Sequence, residues 1–284
     1  MLIGALQKFS LLDYPGKISA IVFTQGCNFR CRFCYNPMLV WPACAKASAA
    51  VKTMADESAG KPVTSINAVA GKPAEITDAQ VGEGKLKYAR EESPGRQKIH
   101  PQISEDDFFV FLKSRAGKLD AVVITGGEPS LQPDLMEFIR KIKTLGFLIK
   151  LDTNGSRPEV LARLIKEKLI DYIAMDLKAT PEKYAEITGV EADLNKIKKS
   201  VKMIIVSDLP YEFRTTVVPE LLALSDFAAM GKMIQGADKW YLQNFKSGVD
   251  LVDASLQGRV PYNARQMNQM AAMGRKYVKV CEVR

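Results

Sequence analysis

The sequence predicts an α/β fold with a parallel sheet, in the form of a barrel or an open part of one. Several short apolar runs are continuously hydrophobic rather than alternating, as expected of parallel strands buried on both faces. Amphipathic helical patterns lie between these runs, and strand and helix alternate from about residue 100 onward. The strand-to-strand intervals of roughly 25 to 40 residues are those of βαβ units.

Six apolar runs are predicted as strands, at residues 19–24, 121–125, 147–152, 172–176, 212–218 and 240–244. Ser104, with Asp107 three residues later, predicts the capped start of a helix. Residues 135–145 and 161–165 repeat apolar side chains at three- and four-residue spacing, and Pro158 suits a first helical turn. We therefore expect six βα units in a single domain over residues 1–284.

Residues 45–100 interrupt this pattern. Tyr88 is their only Phe, Trp or Tyr, and Ala-Gly-Lys-Pro occurs twice, at 59–62 and 70–73. Such a composition buries too little apolar surface to offset the entropy of ordering. The segment is therefore interpreted as a disordered low-complexity insertion, with a lid that docks a partner as the alternative.

Composition excludes several classes of function. No apolar run approaches the length needed to cross a bilayer, and residues 1–9 lack the features of a secretory signal, so we expect a cytoplasmic protein. The formal charge of +8 is interspersed along the chain, and no pattern supports nucleic-acid binding. Because His100 is the only histidine, a His-based metal centre and most hydrolytic chemistries are disfavoured.

A cysteine-rich loop directly after the first predicted strand carries the strongest signal. Cys27, Cys31 and Cys34 follow the spacing Cys-x3-Cys-x2-Cys, at the end of a strand where α/β folds place their chemistry. Three thiolates rather than four favour a four-iron cluster with one iron open to a substrate or cofactor. The alternatives are a zinc site completed by Cys44 and three unrelated structural thiols; Cys281 is interpreted as a solitary thiol.

A second motif, Thr125-Gly-Gly-Glu-Pro129, follows the second predicted strand. Gly126 and Gly127 permit a tight turn and close approach of the backbone to a ligand, and Glu128 offers an acceptor to an ammonium group. The two motifs, in this order, resemble the radical S-adenosylmethionine (radical SAM) superfamily.

That resemblance implies a partial (β/α)6 barrel of the radical SAM type with one 4Fe–4S cluster on the three cysteines and S-adenosylmethionine as cofactor. It implies that Gly126, Gly127 and Glu128 hold the methionine amino group and that Phe33 packs beside the adenine. Tyr35 departs from the family, which commonly has histidine directly after the third cysteine. Residues 45–100 contain no cysteine, so no additional cluster is expected.

Further segments are similar to glycyl-radical-enzyme activating proteins, above all to those of anaerobic ribonucleoside-triphosphate reductase. They are Phe9-Ser-Leu-Leu-Asp-Tyr-Pro-Gly16, Leu151-Asp-Thr-Asn-Gly155, Met175-Asp-Leu-Lys178 and Glu212-Phe-Arg-Thr-Thr-Val-Val-Pro219. The resemblance implies that one electron from flavodoxin or ferredoxin cleaves S-adenosylmethionine to a 5′-deoxyadenosyl radical. This radical then takes a hydrogen atom from a glycine of a partner glycyl-radical enzyme.

The resemblance also implies that side chains from three later strands bind the cofactor: Asp152, Thr153, Asn154, Asp176, Lys178 and Arg214. Asp152 and Asp176 end adjacent predicted strands, so their charges must be neutralised, by Lys178 or by a bound monovalent cation. The structural alternatives are strand-end capping for the two carboxylates, a turn at Asn154, and a core-edge ion pair for Arg214 instead of a carboxylate clamp.

Two other functions remain open at this stage. A radical SAM enzyme that acts on a small molecule, as in deazaguanine formation, would need the same cysteines and glycine turn. A zinc-stabilised binding module on Cys27, Cys31, Cys34 and Cys44 would leave the Gly-Gly-Glu-Pro turn without a purpose.

Overall fold

The computed structural model describes residues 1–41 and 103–284. Cys44, His100 and the predicted insertion at 45–100 therefore lie outside the described residues. The described chain forms one eight-stranded sheet in sequence order, in which β1 is antiparallel to β2 and β2 to β8 run parallel. The two edge strands do not pair with each other, so the sheet is an open barrel, as predicted.

The strands are β1 (Ile3–Ser10), β2 (Ser19–Thr24), β3 (Ala121–Gly126), β4 (Leu148–Thr153), β5 (Tyr172–Asp176), β6 (Tyr211–Val217), β7 (Lys239–Asn244) and β8 (Val280–Val283). The six predicted strands are confirmed as β2 to β7, with every bound within one residue. The sequence missed β1 and β8. β1 carries a run of exposed residues that hides its two-residue alternation, and β8 is too short to show a pattern.

The helices in the described ranges are α1 (Pro37–Val40), α2 (Glu105–Lys113), α3 (Leu135–Lys143), α4 (Pro158–Lys166), α5 (Tyr184–Thr188), α6 (Leu194–Ile205), α7 (Asp226–Met233) and α8 (Ala264–Gly274). Ser104 caps α2 as predicted, since its Oγ accepts the Asp107 amide at 3.0 Å. Within these ranges, no helix has the length and apolar character to cross a bilayer.

The two faces of the sheet differ in chemistry. The outward face packs under the helices and is mainly apolar, with Val22, Ile124 and Phe213 completely buried. The inward face lines a lumen whose floor is an apolar cluster in which the rings of Tyr14 and Tyr172 lie 5.6 Å apart. Above this floor, toward the carboxyl ends of the strands, the inward side chains become polar and charged, and this half of the lumen holds the candidate site.

Candidate active site

The cysteine loop follows β2 and is held between two short helices. On one side, the amides of Gly26 and Cys27 donate to carbonyls at the end of α1, at 2.8 and 3.2 Å. On the other side, the amides of Arg30 and Arg32 donate to Thr188 and Ile187 at 2.7 and 3.1 Å, at the end of α5. The loop is therefore fixed by backbone hydrogen bonds, independently of any bound group.

The three thiols of this loop are largely withdrawn from water. Cys31 is buried and Cys27 and Cys34 are half-buried, and burial raises the pKa of all three thiols, that of Cys31 to about 11. A thiol in such surroundings ionises when it coordinates a metal. No three His, Cys, Asp or Glu side chains among the described residues are placed to hold a single metal ion. Cys44, the fourth ligand of the alternative zinc site, lies outside the described ranges.

The Gly-Gly-Glu-Pro turn lies directly on the start of the cysteine loop. The amides of Gly127 and Glu128 donate to the carbonyls of Thr24 and Gly26, both at 2.8 Å. Gly126 has a φ of +112°, and a Cβ there would collide with the Thr24 backbone; a Cβ on Gly127 would collide with the Gly26 backbone. The glycines are thus required for this contact, which joins motifs about 100 residues apart in the chain.

The Glu128 carboxylate is 1% exposed and bound within the chain. Its Oε1 accepts the amide of Ser130 at 3.1 Å and the hydroxyl of Thr153 at 2.8 Å, and its Oε2 accepts the amide of Asn154 at 2.7 Å. Burial raises the pKa of Glu128, and these donors oppose the shift. Glu128 therefore ties the turn to the end of β4. Its predicted part in binding an ammonium group stays a prediction that depends on the remaining capacity of Oε2.

Asn154 connects the end of β4 to the cysteine loop. Its Nδ2 lies 2.9 Å from Asn28 Oδ1 and 4.0 Å from Cys27 Sγ. Gly155, the next residue, is held by a helix, because Ser200 Oγ on α6 donates to its carbonyl at 2.7 Å. The sequence indicates Asn154 as a cofactor residue or a turn residue, and the structure places it beside Cys27.

Asp152 and Asp176 face each other inside the lumen, as the strand order predicted, and Arg214 forms an ion pair with both. The guanidinium of Arg214 bridges the two carboxylates, at 3.0 Å to Asp152 and 3.1 Å to Asp176. Lys178 lies 2.9 Å from Asp176 and above the ring of Phe33, 5.7 Å from its centroid. Although burial acts in the opposite direction, Lys178 and Arg214 lower the pKa of Asp176 to about 2.

Lys150 is a member of this network that the sequence analysis missed. It lies in the middle of β4, is 1% exposed, and places its ammonium 2.6 Å from Asp152 Oδ1. A lysine between the apolar residues Ile149 and Leu151, on the same face of the strand as Asp152, was the available signal.

Tyr35, the departure from the family pattern, anchors the loop to the chain after β7. Its ring stacks on Phe245, with centroids 6.3 Å apart, and its hydroxyl accepts the Lys246 amide at 2.9 Å. Arg32 adds a second anchor, since its Nε lies 2.8 Å from Asp253 Oδ2. These contacts fix the cysteine loop directly after its third cysteine, at the position where the family commonly has histidine. Cys281 is a free buried thiol on β8, consistent with the predicted solitary role.

Residues 21–222 match the Radical SAM superfamily. The chain belongs to the radical SAM superfamily. Members of this superfamily use a 4Fe–4S cluster and S-adenosylmethionine. Cys27, Cys31 and Cys34 fit the cluster, because they provide three thiols on one fixed loop, one buried and two half-buried, and the polar half of the lumen beside them fits a charged cofactor.

Two relatives show how the likeness is distributed. A candidate glycyl-radical enzyme activating enzyme of Methanocaldococcus jannaschii is 29% identical over 98% of this chain and 93% of its own length. A candidate GTP 3′,8-cyclase of Thermococcus kodakarensis is 33% identical over 44% of this chain and 42% of its own length. The solved structure of TYW1 with a lysine-pyruvate adduct bound shares the fold, with a TM-score of 0.51 and 13% identity over 91% of this chain and 73% of that chain.

Proposed function

We propose that this radical SAM enzyme activates a glycyl-radical enzyme by removing a hydrogen atom from the α-carbon of a glycine in that partner. The observation that carries the proposal is the similarity to the Methanocaldococcus jannaschii protein, which extends over nearly the whole of both chains. Anaerobic ribonucleoside-triphosphate reductase is the partner we favour, because the sequence motifs resemble the activating proteins of that enzyme.

The chain's own residues supply positioning and charge. When bound, the cluster and S-adenosylmethionine together supply the radical that abstracts hydrogen. Cys27, Cys31 and Cys34 would hold three of the four irons, while Gly127 lets the backbone approach the methionine end closely. Arg214 and Lys178 would orient the methionine carboxylate by charge-assisted hydrogen bonds. The lumen floor at Tyr14 and Tyr172 excludes water from below, so acid–base side chains are not required.

The electron donor we propose is flavodoxin or ferredoxin. The formal charge of +8 suits an acidic protein of this kind, whose approach would then be accelerated at low ionic strength. The three thiols of the cysteine loop need a reducing compartment to remain available to iron, which supports the cytoplasm as the location.

A small-molecule substrate is the second candidate function. It is favoured by the similarity to the Thermococcus kodakarensis cyclase, but that similarity covers less than half of each chain. Substrate specificity in α/β enzymes depends on loops along the full sheet. The similarity to the cyclase reaches only part of these loops, so it is weak support for a shared substrate.

The test is anaerobic incubation of the iron-reconstituted chain with S-adenosylmethionine and dithionite, with Cys31→Ala as the inactive variant. Cys281→Ala is the matched control, since it removes a buried thiol outside the cysteine loop. We expect 5′-deoxyadenosine from the wild type and the control only. Adding the purified anaerobic reductase should then give a glycyl radical signal by electron paramagnetic resonance. Cleavage without that signal, with every glycyl-radical enzyme tried, would favour a small-molecule substrate.

A further inference from the structure

The two carboxylates in the lumen have a side-chain cation on every oxygen. Asp152 pairs with Lys150 at 2.6 Å and with Arg214 at 3.0 Å, and Asp176 pairs with Arg214 at 3.1 Å and with Lys178 at 2.9 Å. A monovalent cation at this position, which the family resemblance implied, would need carboxylate oxygens that face it. The residues present do not fit such an ion, because the ammonium and guanidinium groups already neutralise both carboxylates and would repel a further cation beside them.

Lys150 is a fixed part of this arrangement. Its side chain is 1% exposed, and in the sheet it lies between Val123 and Tyr172, whose ring centroid is 5.9 Å from its ammonium. A buried ammonium without a partner is costly, so Lys150 stays paired with Asp152 whether or not a cofactor is present.

The charges of the network match those of the cofactor. Glu212, the buried carboxylate next to Arg214 on β6, pairs with Arg284, so four cations face three carboxylates and one positive charge is left. The methionine end of S-adenosylmethionine carries a carboxylate beside its ammonium and sulfonium groups, and this excess would attract the carboxylate. Without Lys150 the network would be neutral, and an external cation would be needed to restore the same charge.

We propose that Lys150 takes the place of a monovalent cation at the cofactor site, so that this chain binds S-adenosylmethionine without one. The proposal rests on cofactor binding at this site and not on the identity of the partner or substrate. Lys150 is a positioning residue in this scheme, since it acts through Asp152.

The experiment measures the dissociation constant of S-adenosylmethionine for the cluster-loaded protein by anaerobic equilibrium dialysis, without partner or reductant. Each protein is dialysed in tetramethylammonium chloride alone and with added K⁺ or Na⁺ at constant ionic strength. We expect equal affinity of the wild type in all three buffers. Lys150→Met should bind roughly tenfold more weakly in tetramethylammonium, the size of one lost charged contact, and K⁺ or Na⁺ should restore part of that loss.

Two further variants separate the charge from other effects. Lys150→Arg keeps the charge and should bind without dependence on the cation, while Lys166→Met removes an exposed lysine on α4 and should behave as the wild type. A wild type that needs K⁺ or Na⁺ would overturn the proposal, even if Lys150→Met does not fold. An unchanged affinity of folded Lys150→Met in tetramethylammonium would overturn it as well. Neither outcome bears on the proposed activation of a glycyl-radical enzyme, because that function is tested by the glycyl radical signal of the partner.

Discussion

The carboxylate of Glu128 accepts the backbone amide of Asn154 at 2.7 Å, and this hydrogen bond joins the glycine turn after β3 to the end of β4. The same carboxylate accepts hydrogen bonds from Ser130 and Thr153, so both of its oxygens have donors from the chain. The positions of the glycine turn and of the end of β4 therefore depend on one buried carboxylate.

Replacing Glu128 by glutamine should separate these segments. A glutamine keeps one acceptor oxygen, but its NH2 group would face either the Asn154 amide or the Ser130 and Thr153 donors, and we expect a loss of about 1–3 kcal/mol in the free energy of unfolding. Urea denaturation measures this loss, and equilibrium dialysis should show weaker binding of S-adenosylmethionine. Glu137→Gln, on the exposed side of α3, is the control. Equal stability of the two variants would show that Glu128 does not hold the segments together.

The contact of Asn154 with the cysteine loop predicts a redox effect. Its Nδ2 lies 4.0 Å from Cys27 Sγ, and a donor near a ligating sulfur favours the more negative, reduced cluster. Asn154→Ala should therefore make the reduction potential more negative, whereas the exposed Asn195→Ala on α6 should leave it unchanged. An anaerobic redox titration followed by electron paramagnetic resonance measures both. A potential that stays constant or rises in Asn154→Ala would exclude this contribution.

Gly127→Ala should impair cluster binding. The added methyl group would collide with the Gly26 backbone, one residue before Cys27, so the turn and the loop must move apart. Gly248→Ala is matched to it, because a Cβ there meets no atom within 4 Å. We expect a lower iron and sulfide content after reconstitution for Gly127→Ala only. Full incorporation with wild-type stability would contradict the close packing of the two motifs.

The ion pairs of Asp176 predict a dependence of stability on pH. Its pKa is lowered from 3.8 to about 2 in the folded chain, so the unfolded chain binds more protons between these values. The stabilisation is therefore complete above pH 3.8 and is lost as the pH falls toward 2. Asp176→Asn should flatten the acid limb of a plot of unfolding free energy against pH, measured on the metal-free chain. Asp106→Asn, at an exposed position, should retain the wild-type slope.

The sequence was sufficient for the six central strands because each is buried on both faces and is continuously apolar. It was also sufficient to bring Asp152 and Asp176 together, since parallel strands end at one edge of a sheet, but it left the partner of Arg214 open. It could not show that Asn154 contacts Cys27, because the two are separated by 127 residues and the contact depends on loop geometry. Lys150 was missed because a lysine beside apolar residues is usually taken as a solvent-facing interruption.

The edge strands β1 and β8 do not pair with each other in the described part of the chain, where the outer edge of β1 carries an isolated bridge between Ile3 and Ile103. A closed ring of strands would require a large substrate to enter through its mouth. In the described residues the sheet is instead open along one side. Under the proposed function, a glycine in the interior of the partner's sequence, with polypeptide continuing in both directions, could enter this open side as a bent loop and leave again without the unfolding of its own domain.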